Sequence, residues 1–146
     1  MPNNFGPLGY RLEQQTVSPD QLILHPRNPR LTASEEDYFC DRNDDYAQEW
    51  VQKDITQELQ TNRTHGLSGL IKSIKVNGFL DINSIVVKNY NGNYLVLEGN
   101  RRTAAINSII RERRAERHVM DSIRKIPVKV LFLEDGVDED EIVNRI

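Results

Sequence analysis

Apolar residues recur from Leu67 to Leu133 in two rhythms, helical spacing and short continuous runs. Leu67, Leu70, Ile71 and Ile74 fall on one helical face, and Gly78 stands where a helix closes. Residues 84–88 (SIVVK) read as a strand. Asn91-Gly92 is a pair favoured by the type I′ turn, so Tyr94 to Leu97 is predicted to return as the second strand of a hairpin. Ala104, Ala105, Ile106, Ile109 and Ile110 again share a helical face, which runs to about Arg114. A shorter helix or turn carries Val119 and Ile123. Ile126 to Leu133 is apolar apart from Lys129, with Pro127 near its start, and is predicted as a strand.

The first half is less regular. Residues 1–9 contain Pro2, Gly6, Pro7 and Gly9 and read as a flexible tail. Val17, Leu22, Ile23 and Leu24 surround a Ser18-Pro19-Asp20 turn, predicting a short strand, the turn, then a helical turn or a second strand. His25-Pro26-Arg27-Asn28-Pro29-Arg30 has two prolines three apart, which no helix interior accepts, so it is an extended loop. Thr32 with Glu35 forms a capping-box pattern. Tyr46, Trp50, Val51, Ile55 and Leu59 mark a further helix, predicted to pack by that stripe with its acidic face outward. Residues 137–146 read as the start of another helix. The elements predict a single α/β (α+β) domain over residues 1–146. It is a small mixed sheet flanked by helices, with an acidic helical insertion at 32–65.

Composition narrows the class. With 146 residues, 38% of them hydrophobic, the chain is long enough to bury a core. No apolar run reaches the length of a membrane span, and Met1 to Tyr10 lacks the basic and apolar parts of a secretory signal. No membrane partner is expected, and a cytoplasmic location is. The one cysteine, Cys40, rules out an internal disulfide. His25, His65 and His118 stand too far apart for helical metal-ligand spacing.

Charge is segregated within a net of −3. Residues 34–58 hold nine acids against Arg42 and Lys53, and residues 101–125 hold eight bases against Glu112, Glu116 and Asp121. Residues 134–141 hold six acids and no base. Segregation of this kind is read in two ways, as solvated helix faces or as an anion-binding face beside an acidic, partner-facing one.

Residues 94–106 (YLVLEGNRRTAAI) carry the most chemistry. A strand ends in Glu98, Gly99 lets the chain turn, and a helix opens with Arg101 and Arg102. The N–H groups of a helix start and two forked guanidiniums make an anion cradle. Glu98 would repel a phosphate unless it ligates Mg²⁺ or acts as a base. The alternative is a plain strand–turn–helix corner whose arginines pair with the chain's acids. Arg111, Arg113, Arg114 and Arg117, further along the same stretch, are candidates for contact with a DNA backbone.

The order of these motifs resembles the ParB N-terminal domain of the ParB/sulfiredoxin superfamily. The matching stretches are Asn28-Pro29-Arg30, Gly78 to Val87, Gly99-Asn100-Arg101-Arg102-Thr103-Ala104 and Ile126-Pro127-Val128, within residues 16–31 and 66–133. The resemblance implies a pocket for a nucleoside triphosphate with Mg²⁺. Gly99, Asn100, Arg101 and Arg102 would hold phosphates, Arg30 would add a cation, and Gly78, Phe79 and Leu80 would line the nucleoside side. Asn100 replaces the glutamate of the family's G-E-R-R turn, and Asp81-Ile82-Asn83 lacks its usual proline. No cysteine occupies the turn, as sulfiredoxin chemistry requires. An acid just before the glycine, here Glu98, is similar to relatives that include a free-serine kinase and proteins linked to DNA modification. The expected function is a nucleotide-binding domain that hydrolyses an NTP or transfers a phosphoryl group in a DNA-related process, with Glu98 as metal ligand or catalytic base. The alternatives are a DNA-binding or Mg²⁺-dependent nuclease module, and a non-catalytic domain that meets a protein partner through the acidic insertion.

Overall fold

The structure, a computed structural model, describes residues 5–26, 45–61, 66–79, 85–113 and 115–145. The Arg30 loop, the Thr32 capping box, Cys40, His65, Leu80 and Arg114 lie outside the described residues.

The chain enters through β1 (Tyr10–Val17), a 3-10 turn (Pro19–Gln21) and β2 (Leu22–Ile23). Both alternatives for this segment are therefore used in turn, a helical turn and then a second strand. Ser18 and Gln21 close the turn, with the Ser18 N–H donating to Gln21 Oε1 at 3.0 Å. Helices α1 (Glu49–Thr61) and α2 (Leu67–Asn77) follow, then the hairpin of β3 (Ile85–Tyr90) and β4 (Asn93–Glu98). Asn91 and Gly92 at its tip both have positive φ, 49° and 86°, as a type I′ turn requires. Then come α3 (Asn100–Glu112), α4 (Arg117–Arg124), β5 (Ile126–Leu133) and α5 (Glu139–Arg145).

The five strands form one mixed sheet in the order β1-β5-β3-β4-β2. β1 is antiparallel to β5 and β3 to β4, while β3 runs parallel to β5 and β2 to β4. With five α-helices among the described residues, this is the α+β class expected from the sequence. The stretches buried on both faces, Ile85 to Val87 of β3, Leu95 to Leu97 of β4 and Val130 with Leu131 of β5, are the continuously apolar ones. The edge strand β1 exposes Glu13, Gln14, Gln15 and Thr16. Its Arg11 guanidinium lies 4.6 Å from the Phe132 ring centroid and 5.4 Å from that of Phe5.

One face of the sheet carries the main core. Ile85, Val87, Val96, Ile126, Val128 and Val130 meet Val51, Ile55 and Leu59 of α1, Ile74 of α2, Ala105 and Ile109 of α3, and Val119 and Ile123 of α4. On the other face Val86, Leu97 and Leu131 pack under Ile142 of α5, with Val137 and Val143 beside it. Lys88 of β3 reaches Glu139, the first residue of α5, at 2.7 Å.

Two local expectations change. Val51, Ile55 and Leu59 are fully buried, but Trp50 is 46% exposed. It stands one position, about 100°, round the helix from Val51, and its indole N–H donates to Gln48 Oε1 at 2.7 Å on the surface. The tail is also partly tied down. Gly6 donates to the Tyr10 carbonyl and Gly9 to that of Gly6, and Glu134 donates to the Gly9 carbonyl at 2.8 Å.

Candidate functional site

The corner between β4 and α3 is built as a strand–glycine–helix turn. Gly99 is the N-cap of α3, with φ 114° and ψ 22°. A side chain there would also put its Cβ 3.0 Å from Ile85 Cγ1 and 3.3 Å from Ile85 Cα. The position thus demands glycine for backbone conformation and for the close passage of β3. The Gly99 carbonyl accepts both the Thr103 N–H and the Thr103 hydroxyl at 2.9 Å, which fixes the first turn of α3 from beneath. Gly99 supplies no side-chain acceptor to the first N–H groups of the helix.

Arg101 and Arg102 are half-buried in that first turn, and Glu98 is half-buried at the end of β4. All three are engaged by neighbours in the folded chain. The β3–β4 register shifts between Val86 and Val87: Val87 faces Val96, whereas Val86 faces Glu98. Leu97 is the extra residue. An irregularity of this kind ends regular pairing and re-aims the side chains beside it, and it falls at the one acid next to the turn.

Asn100 is 3% exposed. Its Oδ1 accepts the His25 N–H at 3.1 Å and its Nδ2 donates to the His25 carbonyl at 2.8 Å. Gln52 of α1 does the same one residue earlier, accepting the Leu24 N–H at 2.8 Å and donating to the Leu24 carbonyl at 2.9 Å. Gln52 Nε2 also donates to the Tyr46 carbonyl at 2.7 Å. Two carboxamides thus act as a short surrogate β-ladder that continues β2 through Leu24 and His25. The His25 ring lies 5.4 Å from that of Tyr46, which stacks on Tyr90 at 5.8 Å.

Of the residues singled out in the sequence, Glu98, Gly99, Asn100, Arg101 and Arg102 are brought together at this corner. The Asn100 carboxamide is committed to His25, so only the main chain of Asn100 remains for an anion. Gly78 and Phe79 are seated on α4. The Phe79 N–H donates to Ser122 Oγ at 3.1 Å, and a Cβ on Gly78 would lie 3.3 Å from the same oxygen. Arg111, Arg113 and Arg117 are exposed around the junction of α3 and α4, at the opposite end of α3. With 13 residues in α3, that end lies about 18 Å from the glycine turn.

Sequence reasoning missed Gln52, His25 and Tyr46 as parts of this corner. Gln52 was legible only as a polar residue beside an apolar stripe. Asn100 carried a signal, its departure from the G-E-R-R pattern.

Among the described residues, no three His, Cys, Asp or Glu side chains gather as a metal site. A lone carboxylate still suits Mg²⁺ carried in by a nucleotide, because Mg²⁺ is commonly held by one or two carboxylates plus phosphate oxygens. No helix among the described residues is long and apolar enough to cross a membrane. No family model, no curated protein and no solved structure matches the chain.

Proposed function

We propose that the β4–α3 corner binds the phosphates of a nucleoside triphosphate, as the resemblance to the ParB N-terminal domain implies. The observation that carries the reading is the placement of Arg101 and Arg102 in the first turn of a 13-residue helix whose glycine cap offers no side-chain acceptor. The positive end of α3 and two forked cations favour an anion there, and only slim backbone precedes them.

The remaining parts have supporting roles. Asn100 anchors His25, and so holds the entry to the proline-arginine loop against the cradle. Glu98 would hold the Mg²⁺ of the nucleotide, which neutralises phosphate charge when bound. In the alternative role Glu98 would accept the proton of an attacking hydroxyl. As a DNA-related domain, the chain would couple this binding to a nucleic acid or protein partner.

Calorimetry with Mg²⁺-nucleotides tests the reading. Loss of one charge-assisted contact in Arg101→Ala or Arg102→Ala should cost about 1.5–3 kcal/mol, roughly ten- to a hundredfold in affinity. Unchanged affinity in both variants, with folded circular dichroism spectra, rejects the cradle. Glu98→Gln should abolish turnover; weakened Mg²⁺-nucleotide binding in that variant marks a metal ligand, and unchanged binding marks a base.

A further inference from the structure

The junction of α3 and α4 carries cations that the fold does not use. Arg111, Arg113 and Arg117 are exposed, and none forms an ion pair among the described residues. Two of the nearby acids are already paired, Glu112 with Lys75 at 3.0 Å and Asp121 with Arg124 at 3.2 Å, and Glu116 lies 3.3 Å from the His118 imidazole, an ion pair only when that ring is protonated. The Arg113 backbone adds a separate observation. It caps α3 in the left-handed region, with φ 52° and ψ 33°, its N–H donating to the Ile109 carbonyl at 3.0 Å. Glycine or asparagine suits that position, and a side chain such as arginine is strained in it. A favourable charge–dipole contact at a helix end could equally come from the last turn, where Arg111 already stands. Strain kept at one exposed cation, beside others that have no ion-pair partner among the described residues, points to a ligand.

We infer that this junction binds the phosphate backbone of a nucleic acid, independently of the nucleotide site at the other end of α3. The cations are guanidiniums, whose forks match phosphate oxygens. Backbone contacts of this kind give affinity without sequence preference. An anionic membrane is the weaker fit. The exposed large apolar residues among those described are Leu8, Trp50 and Val76, too few and too scattered to insert as a face.

Arg113→Gly separates function from folding, since it removes the charge and relieves the backbone. Fluorescence anisotropy of a labelled DNA duplex and a single-stranded RNA, titrated with the full chain over a salt series, reads the binding. From three contacts the wild type should bind the duplex with a log–log salt slope of about −3 and the single strand with one of about −2. Arg113→Gly should weaken binding equally for unrelated sequences and reduce the slope by about one, with its melting temperature unchanged or raised. If that variant melts lower, Arg111→Ala and Arg117→Ala decide, each expected to lower the slope likewise. No salt-dependent binding by the wild type, variants that bind like it, or equal affinity for anionic vesicles would each overturn the assignment. Nucleotide affinity of Arg113→Gly should match the wild type, so failure at the cradle and failure at this junction remain distinct.

Discussion

Trp50 keeps 46% of its surface in solvent and spends its indole N–H on Gln48, a neighbour on the same surface. Its contribution to the core is therefore small. Trp50→Ala should change stability by no more than about 0.5 kcal/mol in urea denaturation. A loss of several kcal/mol would place the ring inside instead. Tyr46, three residues before α1, takes the buried aromatic position, stacked on Tyr90 and hydrogen-bonded to its hydroxyl through the Tyr46 N–H at 3.0 Å. At Gly99 the restriction is different. Both φ and the approach of Ile85 forbid a side chain, so packing alone explains the glycine, and Arg101 and Arg102 are what would draw an anion.

The elements meet at the two-residue ladder that Gln52 and Asn100 make along Leu24 and His25. It joins α1 and α3 to the edge of the sheet where β2, only two residues long, ends. Asn100→Ala removes two hydrogen bonds and strands the His25 N–H and carbonyl in a part-buried position. The expected loss is about 2–4 kcal/mol, with faster hydrogen exchange at the His25 amide. Exchange at His25 as slow as in the wild type would show that the ladder does not hold the segment. This joint also marks where the sequence stopped being informative. The hairpin, α2, α3 and β5 were legible because each is announced locally, by Asn91-Gly92, by Gly78, by the helical face from Ala104 to Ile110 or by a run apolar but for Lys129. The turn at Glu98 to Arg102 was legible for the same reason. The ladder was not, because a carboxamide partnering the backbone of a distant residue leaves no periodicity. Trp50 misled because hydrophobicity names a residue type, whereas burial depends on an angular position that Val51, Ile55 and Leu59 already fill.

At the scale of the whole molecule, the sheet separates a large core under four helices from a smaller one under α5. The smaller core depends on few side chains, and Ile142, 3% exposed, is the central one on the α5 side. Ile142→Ala should cost about 2–4 kcal/mol, read as a lower melting temperature; an unchanged melt would mean that α5 is not seated on Val86, Leu97 and Leu131. The pairing of the sheet edges has a further consequence, in time. β1 lies opposite β5, Tyr10 facing Leu133 and Val17 facing Ile126, so strands near opposite ends of the described chain complete each other. During synthesis β1 emerges early and waits for its partner until almost everything between them has been made. Contacts so distant along the chain slow folding, which for mixed topologies falls between the fastest helical bundles and the slow all-β domains. Glu13, Gln14, Gln15 and Thr16 on the waiting strand discourage it from pairing with another chain. A nascent chain halted before Ile126 would leave one edge of β3 open, and at that stage it should be a good client for a chaperone.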